Sequence, residues 1–228
     1  MQELNKVDSL RVAYVTQWFA PEPSGPPLWI AQALQSHGIE VRVITAVPNY
    51  PKGVVYPGYS AIGSTREIID GIDATRCPVY PSHDRSALRR AINYTSFAIS
   101  ASWIGRKILK SADVALVYSS PETAAIPALI AHHLNRVPYV LLVQDLWPDS
   151  VLQTGFLESN AARGVARWSL GFLDQTVCKR AAHIVVTAPG MKAALVSRRV
   201  PEEKITVMFN WVDESVVFPQ TGSGMLRS

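Results

Sequence analysis

The stretch VLLVQDLWPDS (residues 140–150) begins as a run of aliphatic residues and then becomes polar and aromatic within a few positions. An apolar run of this kind is typical of a strand in a parallel sheet that helices cover on both faces. Gln144, Asp145 and Trp147 follow the end of that strand, which is where open parallel sheets bind ligands. The stretch therefore predicts the fold class and also the edge of the sheet that carries function.

Similar apolar runs recur along the chain and alternate with longer helical patterns, which predicts an α/β fold with a doubly wound, mostly parallel, Rossmann-like sheet. Strands are predicted at 10–16, 40–46, 113–119, 138–145, 183–188 and 205–210, and helices at about 27–37, 85–111, 121–134, 160–180 and 189–199. Glycine at His37-Gly38 predicts a left-handed end of the first helix, and Ser120-Pro121-Glu122 predicts a capped start of the third. Residues 66–80 are predicted to form an edge hairpin that turns at Asp70-Gly71.

The composition indicates a globular domain with a substantial core, because 48% of the 228 residues are hydrophobic. Charged residues make up 18% of the chain, and the formal net charge is +4 at pH 7. A mild positive charge without long basic runs favours phosphate-bearing ligands or an acidic surface over nucleic acid. We predict one Rossmann-like domain at residues 1–220, followed by the start of an interdomain linker, TGSGMLRS, at 221–228.

Cysteine and histidine spacing predicts no metal site. Cys77 and Cys178 lie far apart, which suggests free thiols in a reducing compartment, and the histidines show no HExxH spacing. The N-terminus is polar and carries Glu3 and Asp8, unlike a secretory signal. No apolar run approaches the ~18 residues that span a bilayer. The expected location is the cytoplasm, where the protein remains free to contact the inner face of the cytoplasmic membrane peripherally.

Two loops that follow strands are candidates for binding. APEPSGPP (20–27) leads into a helix whose free N–H groups are able to receive a phosphate, although the alternative is a stiff connection. VPNYPKGVVYPGY (47–59) is long for a loop between a strand and a helix, and its tyrosines either stack on a sugar ring or pack under the loop. Asp145 is the strongest candidate for a functional residue, because a carboxylate at the end of an apolar strand either binds a partner or stabilises the local turn.

The predicted helix at 85–111 contains only basic charges, at Arg85, Arg89, Arg90, Arg106, Lys107 and Lys110. Two interpretations remain open. An apolar stripe of Leu88, Ile92, Ile99 and Trp103 faces the core while the basic face is solvated, or the helix docks onto anionic lipid headgroups. The second interpretation makes Arg89, Arg90, Trp103, Arg106 and Lys107 the membrane-facing residues.

Five stretches occur in an order that matches a known family: TQWFAPEPSG (16–25), PNYPKGVVYPGY (48–59), DGIDATRCPVYP (70–81), QDLWPDSVLQTG (144–155) and NWVDESVVFP (210–219). With them the chain resembles, over essentially residues 10–220, the N-terminal, acceptor-side domain of glycosyltransferase family 4-like enzymes of the GT-B fold. The resemblance is strongest to bacterial polysaccharide enzymes of the fucosamine-transferase and colanic-acid types.

The resemblance implies a retaining, metal-independent transfer of a sugar from a nucleoside-diphosphate sugar, as co-substrate, to a lipid-linked or saccharide acceptor. It implies donor contacts by Ser24, Gly25 and Asn210, and places Asp145 beside the reaction centre. The implied acceptor contacts are Asn49, Tyr50, Lys52, Gln144 and Trp147. Two departures from the family matter. Many members have Gly-Gly where this chain has Ser24-Gly25, and many have histidine where this chain has Gln144. Glutamine, unlike histidine, cannot titrate.

Enzymes of this family hold the nucleotide-sugar chiefly with a C-terminal domain, which this chain is expected to lack. Because transfer needs donor and acceptor oriented together, the chain alone is expected to be inactive, and to be either truncated or completed by a separate donor-domain chain. The main alternative is a non-catalytic module that binds a glycolipid or a partner protein. Another GT-B enzyme, such as a sugar-nucleotide epimerase, matches the quoted stretches less well.

Overall fold

The computed structural model describes residues 9–82, 86–147, 149 and 160–211. Its strands are β1 (Arg11–Val15), β2 (Glu40–Ala46), β3 (Thr65–Ile69), β4 (Ile72–Cys77), β5 (Val114–Ser119), β6 (Tyr139–Val143), β7 (His183–Val186) and β8 (Ile205–Val207). Its α-helices are α1 (Gly25–Ser36), α2 (Ala87–Ile104), α3 (Arg106–Ser111), α4 (Ile126–Asn135), α5 (Asn160–Arg180) and α6 (Pro189–Ser197). Arg85, residues 150–155 of the fourth family stretch, and the predicted domain end and linker at 212–228 lie outside the described residues.

The strands form one 8-stranded sheet in the order β3-β4-β2-β1-β5-β6-β7-β8. Every neighbouring pair is parallel except β3 and β4, which are antiparallel. The predicted doubly wound α/β fold is confirmed. The hairpin is confirmed as well, since Asp70 and Gly71 turn with φ of 47° and 84° and add β3 at the edge.

Both faces of the sheet are buried, which explains the near-continuous apolar runs. On β1, Val15 packs in a cluster with Ile44, Phe97 and Leu109 under α2 and α3. The neighbouring Tyr14 points to the opposite cluster, which contains Ile30 of α1. Successive residues of a strand therefore enter different cores, and an alternating polar pattern is not needed.

The basic segment 85–111 forms two helices instead of the predicted single one. The break is at Gly105, where an added Cβ would come within 2.7 Å of both the Ala101 carbonyl oxygen and Ile44 Cδ1. The glycine is required because the chain passes this close to β2. α3 then continues from Arg106 in a new direction towards β1, on which it packs.

Of the two interpretations of this helix, the one that faces the apolar stripe to the core is wrong. Leu88, Ile92, Ile99 and Trp103, which we call the α2 ridge, are 43% to 71% exposed. The inward face carries Asn93, Phe97, Ala98 and Ala101 instead. Asn93 faces inward because its side chain hydrogen-bonds Gln17 after β1 and the Tyr80 carbonyl after β4.

Other boundaries shift by a few residues. α1 begins at Gly25, two residues earlier than predicted, and its left-handed end at Gly38 (φ 79°) is confirmed. The third predicted helix begins with a 3₁₀ turn at Glu122–Ala125 before α4. Ser120 does not cap it. Its hydroxyl is directed to another strand end, as described below.

Candidate functional site

Polar side chains collect where the parallel strands end. Gln17 follows β1, Ser120 follows β5, Gln144 and Asp145 follow β6, and Asn210 comes shortly after β8. Parallel strands all end at the same edge of the sheet, which is the usual ligand site of open α/β folds. We call this row the carboxyl edge.

Asp145 lies exposed at this edge. Ser120 Oγ donates to Asp145 Oδ2 at 3.0 Å, and no other described residue donates to either carboxylate oxygen. The carboxylate also acts on its surroundings. Burial, and next the negative charge of Asp145, raise the pKa of Tyr118 to about 12. Asp145 is thus an oriented anion with one oxygen left for a ligand.

Gln144 and Asn210 meet across β7. Asn210 Nδ2 donates to Gln144 Oε1 at 3.1 Å, which joins the end of β6 to the segment after β8. Asn210 is exposed and Gln144 is half-buried. The structure therefore brings Asn210, a predicted donor contact, into hydrogen-bond contact with Gln144, a predicted acceptor contact, although β7 lies between their strands.

A buried carboxylate organises the loops that follow β1 and β2. Glu22 accepts N–H hydrogen bonds from Phe19 at 3.0 Å, Asn49 at 2.7 Å and Tyr50 at 2.8 Å. Burial raises the pKa of Glu22, and the three N–H donors and Arg76 oppose that rise. The side chain fixes the position of the 47–59 loop against the loop after β1.

Arg76 on β4 is the cation beneath these loops, and its side chain is fully buried. Its guanidinium donates to Glu67 Oε1 at 2.6 Å, to the Ala46 carbonyl at 3.1 Å and to the Ala20 carbonyl. The sequence reasoning missed Arg76 and Glu22. Alternation along β4 carried a signal, because Arg76 shares the inward side with Ile72 and Ala74.

The predicted acceptor residues differ in accessibility. Asn49 is buried, and its Nδ2 donates to the Val47 carbonyl at 2.8 Å. Trp147 is buried beside Tyr94, with ring centroids 6.3 Å apart. Lys52 is exposed. Tyr50 is half-buried, and its ring centroid lies 5.2 Å from that of Trp18, so this pair offers an aromatic surface next to the edge.

The predicted donor contacts at Ser24 and Gly25 lie at the start of α1. Ser24 makes no side-chain capping bond, and Pro26 and Pro27 have no N–H to offer. An added Cβ at Gly25 would come within 2.5 Å of the Trp29 ring, so packing against that ring accounts for the glycine. The first turn retains the N–H groups of Gly25 and Leu28 as donors for an anion.

Gln17 connects the edge to α2. It is fully buried, its Nε2 donates to Asn93 Oδ1 at 2.7 Å, and Asn93 Nδ2 donates to the Tyr80 carbonyl at 2.7 Å. The Oε1 atom of Gln17 has no hydrogen-bond partner among the described residues. This network explains why the side of α2 that carries Asn93, and not the α2 ridge, faces inward.

A second buried cluster supports the end of β6 from below. Arg198 donates to Asp174 Oδ2 at 3.1 Å, to Asp149 Oδ2 at 2.8 Å and to the Trp147 carbonyl. Burial, and next the charge of Asp174, raise the pKa of Glu122 well above its ordinary value. Ligand atoms of Glu122, Asp174 and Cys178 lie within 4.8 Å of one another, as metal ligands do. Because Arg198 already neutralises Asp174 and burial raises the pKa of the Cys178 thiol, proton sharing accounts for the cluster better than a cation.

The predicted membrane-facing residues lie on the outer side of α2 and α3. Trp103, Arg106 and Lys107 are exposed, and the Arg106 guanidinium lies 4.4 Å from the centroid of the Trp103 ring. Arg89 is exposed, and Arg90 donates to the Tyr94 hydroxyl at 2.9 Å. Within the part of the chain that the structure describes, no helix is long and apolar enough to cross a bilayer.

Proteins of similar sequence or fold support the resemblance drawn from the motifs. The family model for the glycosyl transferase 4-like domain matches residues 28–211. Over 198 residues the chain is 25% identical to the putative colanic acid biosynthesis glycosyl transferase WcaI of Escherichia coli (strain K12), covering 85% of this chain and 48% of WcaI. The chain thus spans about half the length of this curated relative.

Among solved structures, LpCGTa in complex with UDP aligns with a TM-score of 0.55 at 15% identity, covering 92% of this chain and 55% of LpCGTa. Anabaena Alr3699/HepE in complex with UDP and glucose aligns with a TM-score of 0.49 at 12% identity, covering 91% of this chain and 46% of HepE. The predicted family and the predicted fold are confirmed.

Proposed function

The chain belongs to the glycosyl transferase 4-like domain family, and we propose that it is the acceptor-side half of a retaining glycosyltransferase. The enzyme moves a sugar from a nucleoside-diphosphate sugar to a lipid-linked or saccharide acceptor in cell-surface polysaccharide biosynthesis. Similarity to WcaI, a putative colanic acid biosynthesis enzyme, supports the polysaccharide context. UDP is the ligand of LpCGTa, a protein of the same fold, and the proposed donor belongs to that class.

The exposed carboxylate of Asp145 is the observation that carries the proposal. Ser120 donates to one carboxylate oxygen, and no described residue donates to the other oxygen of this exposed side chain. An acceptor hydroxyl that donates to this oxygen is oriented for attack, and orientation of this kind accounts for a large part of enzymatic rate enhancement. Gln144 beside it adds amide donors and acceptors for further sugar hydroxyls.

The proposed reaction needs no titrating side chain at Gln144. The bond between the anomeric carbon and the diphosphate oxygen breaks, and a bond to the acceptor oxygen forms on the same face of the sugar. The proton of the acceptor hydroxyl passes to the departing diphosphate. The N–H groups at the start of α1, together with the Ser24 hydroxyl, stabilise the charge that develops there. Asn210 contacts the donor from the opposite end of the edge.

The loops held by Glu22 supply the sugar-binding surface. Tyr50 and Trp18 present an aromatic pair at the edge, and Lys52 is exposed on the same 47–59 loop. Aromatic faces bury the apolar side of a sugar ring, while their rims remain near polar groups. Asn49 and Trp147, which are buried, support this surface from beneath.

We also propose that the outer side of α2 and α3 contacts the membrane that carries a lipid-linked acceptor. The α2 ridge is exposed and apolar, and the basic residues that flank it face no acid on either helix. Apolar side chains inserted at the headgroup boundary with basic residues beside them are the usual mode of binding to anionic membranes.

Sugar transfer from radiolabelled nucleoside-diphosphate sugars tests the enzymatic proposal. The chain is assayed alone and with a donor-domain chain, using lipid extracts and oligosaccharides as acceptors. We expect label in the acceptor only when the donor domain is present. Acceptor binding without transfer in every mixture would instead establish a non-catalytic binding module.

Sedimentation with vesicles of phosphatidylcholine and phosphatidylglycerol tests the membrane contact. Charge reversal at Arg89, Arg90, Arg106 and Lys107 is expected to weaken binding at least about 600-fold, because each of the four basic residues contributes about fivefold near an anionic surface. Reversal at Arg42 and Arg199, which are exposed outside α2, α3, α4 and α5, serves as the control. Equal binding of both variants would contradict docking through α2.

A further inference from the structure

A groove runs between α4 and α5, away from the carboxyl edge. α4 runs back from the end of β5 and terminates at Asn135, just before β6 begins, so its last turns lie near the opposite edge of the sheet. The groove has a volume of about 410 Å³ and is lined by Leu129, Ile130, Leu134, His133, Arg136 and Arg180, among others. None of the activities discussed above uses it.

The charges around the groove have one sign. Arg136 and Arg180 are both exposed, and neither guanidinium group forms an ion pair or hydrogen bond with a described residue. Among the residues that the structure describes, no acid lines the groove. Unneutralised guanidinium groups at the rim of a groove favour an anion, and their planar forks suit phosphate in particular.

Three apolar residues, Leu129, Ile130 and Leu134, contribute to the groove lining. Leu134 is 70% exposed and Ile130 is 40% exposed, although both belong to the short helix α4. On the neighbouring α5, the exposed rings of Trp168 and Phe172 stack with centroids 6.3 Å apart. A ligand that covers this lining gains hydrophobic free energy in proportion to the apolar area removed from water.

We infer that the α4/α5 groove binds one acyl chain of an anionic phospholipid, with Arg136 and Arg180 on its phosphate. The apolar lining and the two cations together match an amphipathic anion, and neither feature alone does so. The inference extends the proposed membrane contact and rests on it for the bilayer that supplies the lipid. The outer surface of α2, α4 and α5 then forms a single helical layer whose members face the same membrane.

The test uses the full chain and phosphatidylglycerol that carries a photoactivatable acyl chain, delivered in vesicles. We expect covalent labelling of peptides from α4 and α5. Arg136→Asn is expected to lower the labelling about fivefold, and its combination with Arg180→Gln about 25-fold. Arg136 has a left-handed backbone (φ 63°), which asparagine tolerates, so this substitution removes charge without strain.

The chain offers a matched control for each change. Arg199 is also exposed, at the end of a helix with a left-handed backbone (φ 68°), so Arg199→Asn removes the same charge outside the groove. Leu134→Glu is expected to lower labelling at least about tenfold, since it places a charge in the apolar lining. Ile62→Glu, at an exposed isoleucine in the loop before β3, is its control.

Unchanged labelling in the double variant, or labelling confined to α2, would overturn the inference. Cross-linked dimers of the chain in place of lipid adducts would also overturn it, since they would assign this surface to a second copy.

Mixed micelles of the same lipid with neutral detergent separate this inference from the membrane contact. Groove labelling in micelles without binding to vesicles would support the lipid site in the groove and contradict docking through α2. Binding to vesicles without groove labelling would support docking through α2 and contradict the lipid site.

Discussion

The loops after β1 and β2 are tied together by buried charges, whereas the segments after β5, β6 and β8 are tied by exposed hydrogen bonds. Glu22 and Arg76 hold the first pair from inside the protein. Asp145 bonds Ser120, and Gln144 bonds Asn210, at the surface of the second group. Both arrangements lie along one edge of one sheet.

The difference indicates a division of labour along the carboxyl edge. A buried ion network is costly to break because removing one partner leaves a buried charge without its counter-charge, so the network fixes backbone position. An exposed hydrogen bond exchanges readily with water or with a ligand, at little net cost. The side of β1 and β2 therefore provides a rigid surface, and the side of β5, β6 and β8 provides groups that are available for chemistry.

The largest expected effect is on the rigid side. Arg76→Met leaves Glu67 and the carbonyls of Ala46 and Ala20 without their donor, and should lower the free energy of unfolding by about 3–5 kcal/mol. Urea denaturation at neutral pH measures it.

Arg66 on the adjacent strand is the control for this change. Its bond to Asp73 is 2.6 Å long, the same as that of Arg76 to Glu67, but its side chain is 68% exposed against 0% for Arg76. Arg66→Met should therefore leave stability nearly unchanged. Equal losses in the two variants would mean that burial does not distinguish the two sides of the edge.

The sequence predicted the rigid side's framework but not its charges. Apolar runs located the core strands, and Asp70-Gly71 located the hairpin, because these signals are local in the chain. Glu22 binds N–H groups 27 and 28 residues further along, and Arg76 reaches back 56 residues to Ala20. Such contacts depend on how loops meet in space, which local periodicity does not encode.

The face of α2 shows a second limit of sequence patterning. The helical period of 3.6 residues correctly places the residues of the α2 ridge on one side of the helix. Their hydrophobicity suggested that this side faces the core, whereas it is exposed. Asn93 overrides this assignment because Gln17 and the Tyr80 carbonyl are placed to satisfy its amide. Amphipathic patterns predict orientation only where the interior contains no polar partners.

The next effect in size is on the other side of the edge. Asp145→Asn keeps the shape of the side chain and its bond to Ser120, but weakens its hold on an acceptor hydroxyl. Transfer in the presence of a donor domain should fall about 100-fold, which corresponds to about 2.7 kcal/mol in the barrier. Stability to urea should not change, because the residue is exposed.

Two further variants give this prediction its controls. Ser120→Ala should slow transfer only about tenfold, since it frees the carboxylate without removing it. Asp113→Asn changes another exposed aspartate, bonded to Arg11 at the opposite end of β5, and should leave transfer unchanged. Wild-type turnover in Asp145→Asn would remove Asp145 from the mechanism.

A smaller effect concerns the cluster that supports Gln144 and Asp145 from below. The pKa of Glu122 is raised in the folded state, so above the ordinary pKa the unfolded chain releases this proton while the folded protein keeps it. The stability that Glu122 contributes is therefore fully present below the ordinary pKa and is lost as pH rises from there through the folded pKa. Glu122→Gln mimics the protonated acid at every pH. The variant should match wild type near pH 4 and gain on it at higher pH by up to about 1.4 kcal/mol per unit.

Urea denaturation across acidic to neutral pH measures the difference between the two slopes. Glu40→Gln, at an exposed glutamate paired with Arg42, is the control and should run parallel to wild type. Parallel slopes for Glu122→Gln as well would show that Glu122 releases its proton at an ordinary pH. The support beneath β6 would then be as rigid as the Glu22 and Arg76 side of the edge.

The smallest effect should come from the Gln144 and Asn210 bond. Gln144→Ala removes an exposed side-chain hydrogen bond, which typically costs below about 1 kcal/mol of stability. The acceptor KM should rise several-fold with kcat little changed, because the proposed role of Gln144 is to bind sugar hydroxyls equally before and during transfer. Thr206→Val breaks the exposed bond from His183 Nε2 to Thr206 Oγ1 (2.8 Å), away from the carboxyl edge, and should change neither constant. A loss of stability in Gln144→Ala as large as that in Arg76→Met would erase the contrast between the two sides, because an exposed amide would then be holding the fold as firmly as a buried charge.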